Sequence, residues 1–177
     1  SLYARVRELR PVADPPQGAS VGAAIELVAD APCPYWRDTV AKSYGLGTVS
    51  RAIPTGTAPS AFLLRLLGDP LSATAVVNPQ FLYYDATGKQ IRTSTFTISL
   101  GSNDYLEIDS SPAAMTIMKS VGGTLTQDDT LLTAGLFPQP LDPTAHGNYY
   151  LSQWPMVKVA ATSGTPRGEL IFPRMWG

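Results

Sequence analysis

Three carboxylates fall close together in "NDYLEID", namely Asp104, Glu107 and Asp109. Acids gathered in this way can hold calcium, act as a general acid and base, or keep one side of a sheet wet. The neighbours argue for the last. Leu106 and Ile108 point one way and Tyr105, Glu107 and Asp109 the other, which is the period of a half-buried strand. A calcium loop would need a tight turn and several carbonyl donors, and this stretch has neither. The acids are expected on a solvated sheet face, with an inter-subunit contact and a metal or acid–base pair as the alternatives.

Other chemistry is sparse. His146 is the single histidine, and it lies in a proline-rich stretch without an HExxH, GxSxG or CxxC pattern beside it. It reads as a solvated loop side chain. "GLG" at Gly45 to Gly47 lacks the remainder of a dinucleotide fingerprint. Two acids from distant strands could still meet as a glycosidase pair, although fourteen acids give many accidental pairs. Cys33, in "APCPYW", has apolar and proline neighbours and reads as a small buried hydrophobe. A lone cysteine also excludes an intrachain disulfide. No enzymatic activity, cofactor or metal is expected.

Aromatic residues leave one binding chemistry open. A sugar packs on an exposed ring bordered by polar groups, and Tyr83, Tyr84, Tyr149, Tyr150, Trp36 and Trp154 are of the right type. The competing reading fills the core with half of them and turns the rest toward a protein neighbour. Tyr35, Trp36, Tyr149, Tyr150 and Trp154 are taken as the candidate interface or glycan contacts.

The elements that would position these side chains are short strands. Fifteen glycines and sixteen prolines are scattered along the 177 residues, and no stretch carries three clean turns of helical periodicity. "RTSTFTISL" places Phe96, Ile98 and Leu100 on one face. "FLYYDATGKQI" reads as a hairpin turning at Asp85 to Gly88. "AFLLRLLG" reads as a buried strand with Phe62, Leu64 and Leu66 inward. "NDYLEID" turns at "SSPA" into a return strand, "AMTIMKS". "LTAGLFPQPLDPTAHGNYYL" is expected to be a long loop or a proline-broken edge. "MVKVAA" and "GELIF" read as two strands joined by a turn, with Trp154 and Trp176 as packing anchors. The first forty residues hold two extended runs, "LYARVRELRPV" and "AAIELVAD", expected to form an arm.

Composition narrows the partners. The charged share is 15 %, against about 25 % in ordinary soluble domains. The net charge is −1, so the excess of positive charge that drives nucleic-acid binding is missing. No apolar run approaches the length of a membrane span. A hydrophobic share of 44 % with so few charges suggests surface that neighbours in an assembly would cover.

The order of segments resembles a known family. "IELVADAPCPYW", "GTAPSAFLLRLLGDPLSATAVVNPQ", "TGKQIRTSTFTISLGSNDYLEID", the glycine-marked "SVGG", "LFPQPL" and a terminal "RMW" follow one another as in the C-terminal half of siphophage distal tail proteins. The shared marks are "GTAPS" opening the first sandwich strand, "NP" after the second, a "YLEID" strand following the glycine-led turn, and the tryptophan- and arginine-containing finish. They cover about Gly56 to Gly177.

The resemblance implies an all-β fold, an antiparallel β-sandwich of the galectin-like jelly-roll kind, with an extended N-terminal arm. Residues 1–50 would be the arm, or a remnant of the family's belt domain, and residues 51–177 the sandwich. It also implies a virion structural protein at the tail tip or baseplate, assembled in the host cytoplasm. Such a protein joins the tail tube to the hub or host-adhesion apparatus, as part of a homo-oligomeric ring of six copies. A carbohydrate-binding module that recognises a host glycan is the rival.

Overall fold

The computed structural model describes residues 5–11, 25–30, 36–37, 39–54, 58–85, 88–141, 155–173 and 175–176. In chain order the strands are β1 (Arg5–Pro11), β2 (Ile25–Asp30), β3 (Trp36–Arg37), β4 (Lys42–Leu46), β5 (Arg51–Ala52) and β6 (Leu63–Leu67). They continue with β7 (Val76–Val77), β8 (Gln80–Tyr84), β9 (Gln90–Phe96), β10 (Ser99–Leu100), β11 (Tyr105–Asp109) and β12 (Thr116–Val121). Last come β13 (Thr124–Gln127), β14 (Leu132–Gly135), β15 (Met156–Ala160), β16 (Arg167–Phe172) and β17 (Met175–Trp176). Among the described residues the only helical element is one 3₁₀ turn, Asp129–Leu131. No described helix is long and apolar enough to cross a membrane.

Two antiparallel sheets hold most of the strand residues described. A six-stranded sheet runs β13-β12-β11-β6-β16-β4, and a five-stranded one runs β14-β9-β8-β15-β5. The alternation expected from the sequence sets their inner faces. Leu64, Leu66, Leu106, Ile108, Ile117, Leu170 and Phe172 come from the first sheet and Phe81, Tyr83, Phe96, Val157 and Val159 from the second, in one buried cluster. Each such side chain taken from water contributes about 1.5–3 kcal/mol, which makes this layer the main stabilising term. Phe62 meets Phe81 edge-on at 5.6 Å, and Phe81 meets Tyr83 at 4.7 Å. The buried polar side chains among the described residues are the serines Ser60, Ser94, Ser110 and Ser120. Ser110 shows how such a group is accommodated, because its Oγ accepts the Phe62 N–H at 2.7 Å.

Among the described residues, smaller antiparallel ladders join β1 with β2, β7 with β10 and β3 with β17. The two N-terminal extended runs are therefore strands paired with each other.

The sheets exchange strands along both long sides. On one side β4 ends the six-stranded sheet and β5, a few residues later, ends the five-stranded one. On the other, β13 and β14 do the same through the 3₁₀ turn.

Several expectations need correction. The boundary at residue 50 falls inside the sandwich, since β4 pairs with β16 along its length. The sequence hid this because "KSYGL" offers only Tyr44 and Leu46 as apolar residues on one face. "RTSTFTISL" is two strands rather than one. At the break, the Thr97 N–H goes to the Leu131 carbonyl and the Ile98 carbonyl takes the Asn78 N–H, which leaves β10 to pair with β7. The segment from Leu132 opens as strand β14, and further on Leu141 is fully buried and bridged to Ser60. The rest of that segment, 142–151, lies outside the described residues. β15 and β16 are both strands, yet they belong to different sheets, so the residues between them form an inter-sheet crossover.

Candidate functional site

Asp104, Glu107 and Asp109 lie on or beside the outer face of the six-stranded sheet. Pairing aligns Gln127, Met118, Glu107, Arg65, Glu169 and Gly45 in one row across it. Arg65 Nε donates to Glu107 Oε2 at 2.7 Å, and its Nη1 stands 3.9 Å from Glu169 Oε2. Ser43 Oγ donates to Glu169 Oε1 at 2.6 Å. The hydrogen bond to Glu107 is the main reason the Arg65 guanidinium is held above its ordinary pKa, with burial opposing it. A glycosidase pair needs a sugar or water between its acids. Here the guanidinium occupies that space.

Asp109 Oδ1 accepts the Ser111 N–H at 2.8 Å, closing the turn after β11. Asp104 reaches further. Its Oδ2 accepts the Gly101 N–H and its Oδ1 the Gly122 N–H, both at 2.9 Å. One side chain thus ties the turn before β11 to the β12–β13 hairpin. That hairpin turns on Gly122 and Gly123, whose φ values of 57° and 81° are those of a two-residue turn matched to strand twist. All three acids therefore have structural partners. Among the described residues no group of three or more His, Cys, Asp or Glu could hold a metal ion.

Two shallow depressions flank the charged row. One, of about 330 Å³, is lined by Leu67, Gly68, Pro70, Ser102, Asn103, Asp104 and Arg167. Arg167 there pairs with Asp69 at 3.3 Å. The other, of about 360 Å³, is lined by Ala61, Phe62, Leu63, Asp109, Ser111, Ile171 and Pro173. They lie at opposite ends of the sheet, and the carboxylates in each, Asp104 and Asp109, already accept main-chain N–H groups.

The aromatic candidates divide. Tyr83 is 3 % exposed, and its hydroxyl donates to the Gln139 carbonyl at 2.8 Å. Burial pushes its pKa well above the usual range, as expected for a neutral core tyrosine. It is removed as a sugar platform. Tyr84 lies on the opposite face of β8, where Lys158 Nζ sits 5.2 Å from its ring centroid. The backbone of Trp36, in β3, pairs opposite Trp176. Tyr35, Tyr149, Tyr150, Trp154, His146 and Cys33 lie outside the described residues.

Sequence reasoning missed the condition of the sheet edges. All of β13 is exposed, and it ends the six-stranded sheet with four uncharged residues, Thr124–Gln127. The signal was present in "GGTLTQ", a glycine turn followed by a strand with no lysine or proline to protect it.

No protein-family model matches the chain, and no curated protein does. Among solved structures it is similar to one chain of the phage P2 baseplate in its activated conformation with Ca. The identity is 10 % and the TM-score 0.43, over 97 % of this chain and 63 % of that one. The present chain thus spans less than two thirds of the other's length.

Proposed function

We propose that the protein is a structural component of a phage tail tip or baseplate, joining the tail tube to the hub or host-adhesion apparatus. The observation that carries this is where the family-like sequence marks fall. "GTAPS" leads into β6, "NP" leads into β8 and "YLEID" is β11, and these three strands lie in the middle of the two sheets. In each case the residues have a packing task. Ala58 and Ser60 are buried, Asn78 takes a positive φ of 48°, and the Pro79 carbonyl accepts the Phe96 N–H.

The ion pairs on the outer face of the six-stranded sheet agree with a structural role, because the acids there already have partners. In this reading residues 1–41 supply contacts to neighbouring tail proteins, and Tyr35, Trp36, Tyr149, Tyr150 and Trp154 are the first residues to examine at those contacts. A homo-oligomeric ring is the arrangement the resemblance implies, and the galectin-like topology belongs to the same proposal.

The test is location. In purified tailed particles that contain this chain, a gold-labelled antibody against it should decorate the tail tip. Labelling of the capsid, or absence of the chain from particles, overturns the proposal. Glycan-array binding that disappears on Trp36→Ala or Trp154→Ala would move the function to carbohydrate recognition.

A further inference from the structure

We infer that the free edge of β13 is a self-association site, at which a second copy of this chain pairs antiparallel through main-chain hydrogen bonds and joins two six-stranded sheets into one.

The phase of the hairpin shows which groups are free. With a two-residue turn at Gly122 and Gly123, Val121 and Thr124 form a hydrogen-bonded pair, and pairs then alternate. Asp128 continues the alternation, since its N–H donates to the Ile117 carbonyl at 2.9 Å. Thr124 and Thr126 therefore bond inward to β12, while the N–H and C=O groups of Leu125 and Gln127 point outward. Natural edges avoid presenting such a row by shortness, bulges, charge or cover.

The other three edges of the sandwich use those devices. β5 has two residues. β14 is broken by a register shift between Leu132 and Ala134. β4 carries Lys42, and the Gly45 carbonyl is taken by Arg51 Nη1 at 2.9 Å. β13 uses none of them.

Exposed apolar side chains gather on the same side. Of the eight large ones among the described residues, Val121, Leu125 and Leu136 lie on the β12–β13 hairpin or just after β14, and Met115 immediately precedes β12. Leu125 is 51 % exposed.

These edges select the occupant. A head-to-tail contact of β13 with β4, β5 or β14 of another copy meets a blocked or interrupted edge, whereas β13 against β13 does not. With Thr126 facing its symmetry mate, Leu125 pairs with Gln127 of the second copy and the reverse. Every outward donor and acceptor is then satisfied, and Thr124, Leu125, Thr126 and Gln127 bring no charge to either side. Such a contact is two-fold and closed. It does not depend on the tail role proposed above.

Sedimentation of the full chain across a concentration series tests this. The wild type should shift from monomer to dimer. Leu125→Pro deletes the outward N–H without touching a bond to β12, and should weaken dimerisation by more than about tenfold while circular dichroism stays unchanged. Should that variant lose its β signal, Leu125→Lys keeps the backbone, brings two like charges together across the two-fold axis and should weaken the dimer likewise. A wild type that stays monomeric throughout overturns the inference. So does self-association that a folded Leu125→Pro or Leu125→Lys leaves as strong as in the wild type.

Discussion

The two long sides of the sandwich share one interior and are finished differently. Along the β4–β5 side, Arg51 holds the Gly45 carbonyl, and the Gly47 carbonyl accepts the Val159 N–H from the opposite sheet at 3.0 Å. Tyr44 and Phe172 stack beneath, 5.4 Å apart. Along the β13–β14 side, four uncharged exposed residues end the sheet. Side-chain carboxylates hold their hairpin from behind, Asp104 at its turn and Asp128 and Asp129 at its base, where they take the Lys119 ammonium and the Ile117 N–H. Core packing does not explain the difference, because β12 buries Ile117 as fully as β16 buries Phe172. The outermost strand decides which side can accept another chain.

The largest expected effect lies in the core of the closed side. Phe172→Ala leaves a cavity under Tyr44 and should cost about 3–5 kcal/mol in urea unfolding. It should leave the free energy of association per folded dimer unchanged. Equal loss of both would break the separation between core and edge.

On the open side, Asp104→Ala removes the acceptor for two main-chain N–H groups and should cost about 2 kcal/mol. Amide exchange should rise first at Gly122 and along β12 and β13, ahead of β16. Uniform acceleration would mean that Asp104 does not anchor the hairpin locally.

Arg51→Ala sharpens the comparison by opening the guarded edge. The fold should lose about 1 kcal/mol or less. With the Gly45 carbonyl free, β13 gains a second kind of partner, and sedimentation should show species larger than the wild-type dimer. An unchanged distribution would mean that Arg51 is not what protects β4.

A smaller effect depends on pH. The Asp128 carboxyl lies below the ordinary range because the Lys119 ammonium, 2.6 Å away, and the Thr130 hydroxyl donate to it. A depressed pKa in the folded state gives stability that is complete above the unfolded carboxylate value of about 3.9 and is lost as pH falls through the folded value. Asp128→Asn should therefore flatten the acid limb of a Tm-against-pH curve. An identical limb would show that the pair contributes nothing there.

Parts of this were legible in the sequence for physical reasons. Leu106 and Ile108 stand two apart between polar neighbours, so their strand and inner face follow from side-chain geometry, and Phe62, Leu64 and Leu66 keep the same spacing in a short apolar run bounded by turn residues. Pairing between distant segments does not. Arg65 and Glu107 meet because β6 lies beside β11, 42 residues along the chain, and no local pattern encodes that neighbour. β4 was hidden because a guarded edge strand needs little apolar alternation. β14 was legible only as one of two readings, a proline-broken edge, because Gly135 and the prolines after it equally resemble a loop. Tyr83 illustrates the limit for the site, since composition cannot separate a core tyrosine from a surface one.

Residue-resolved amide exchange at Leu125 and Gln127, followed through a dilution series, tests the open edge most directly. Both amides should be protected in concentrated protein and should lose protection together on dilution, while Thr126 stays protected throughout. Unprotected amides at every concentration, or protection that persists in the monomer, would contradict the account.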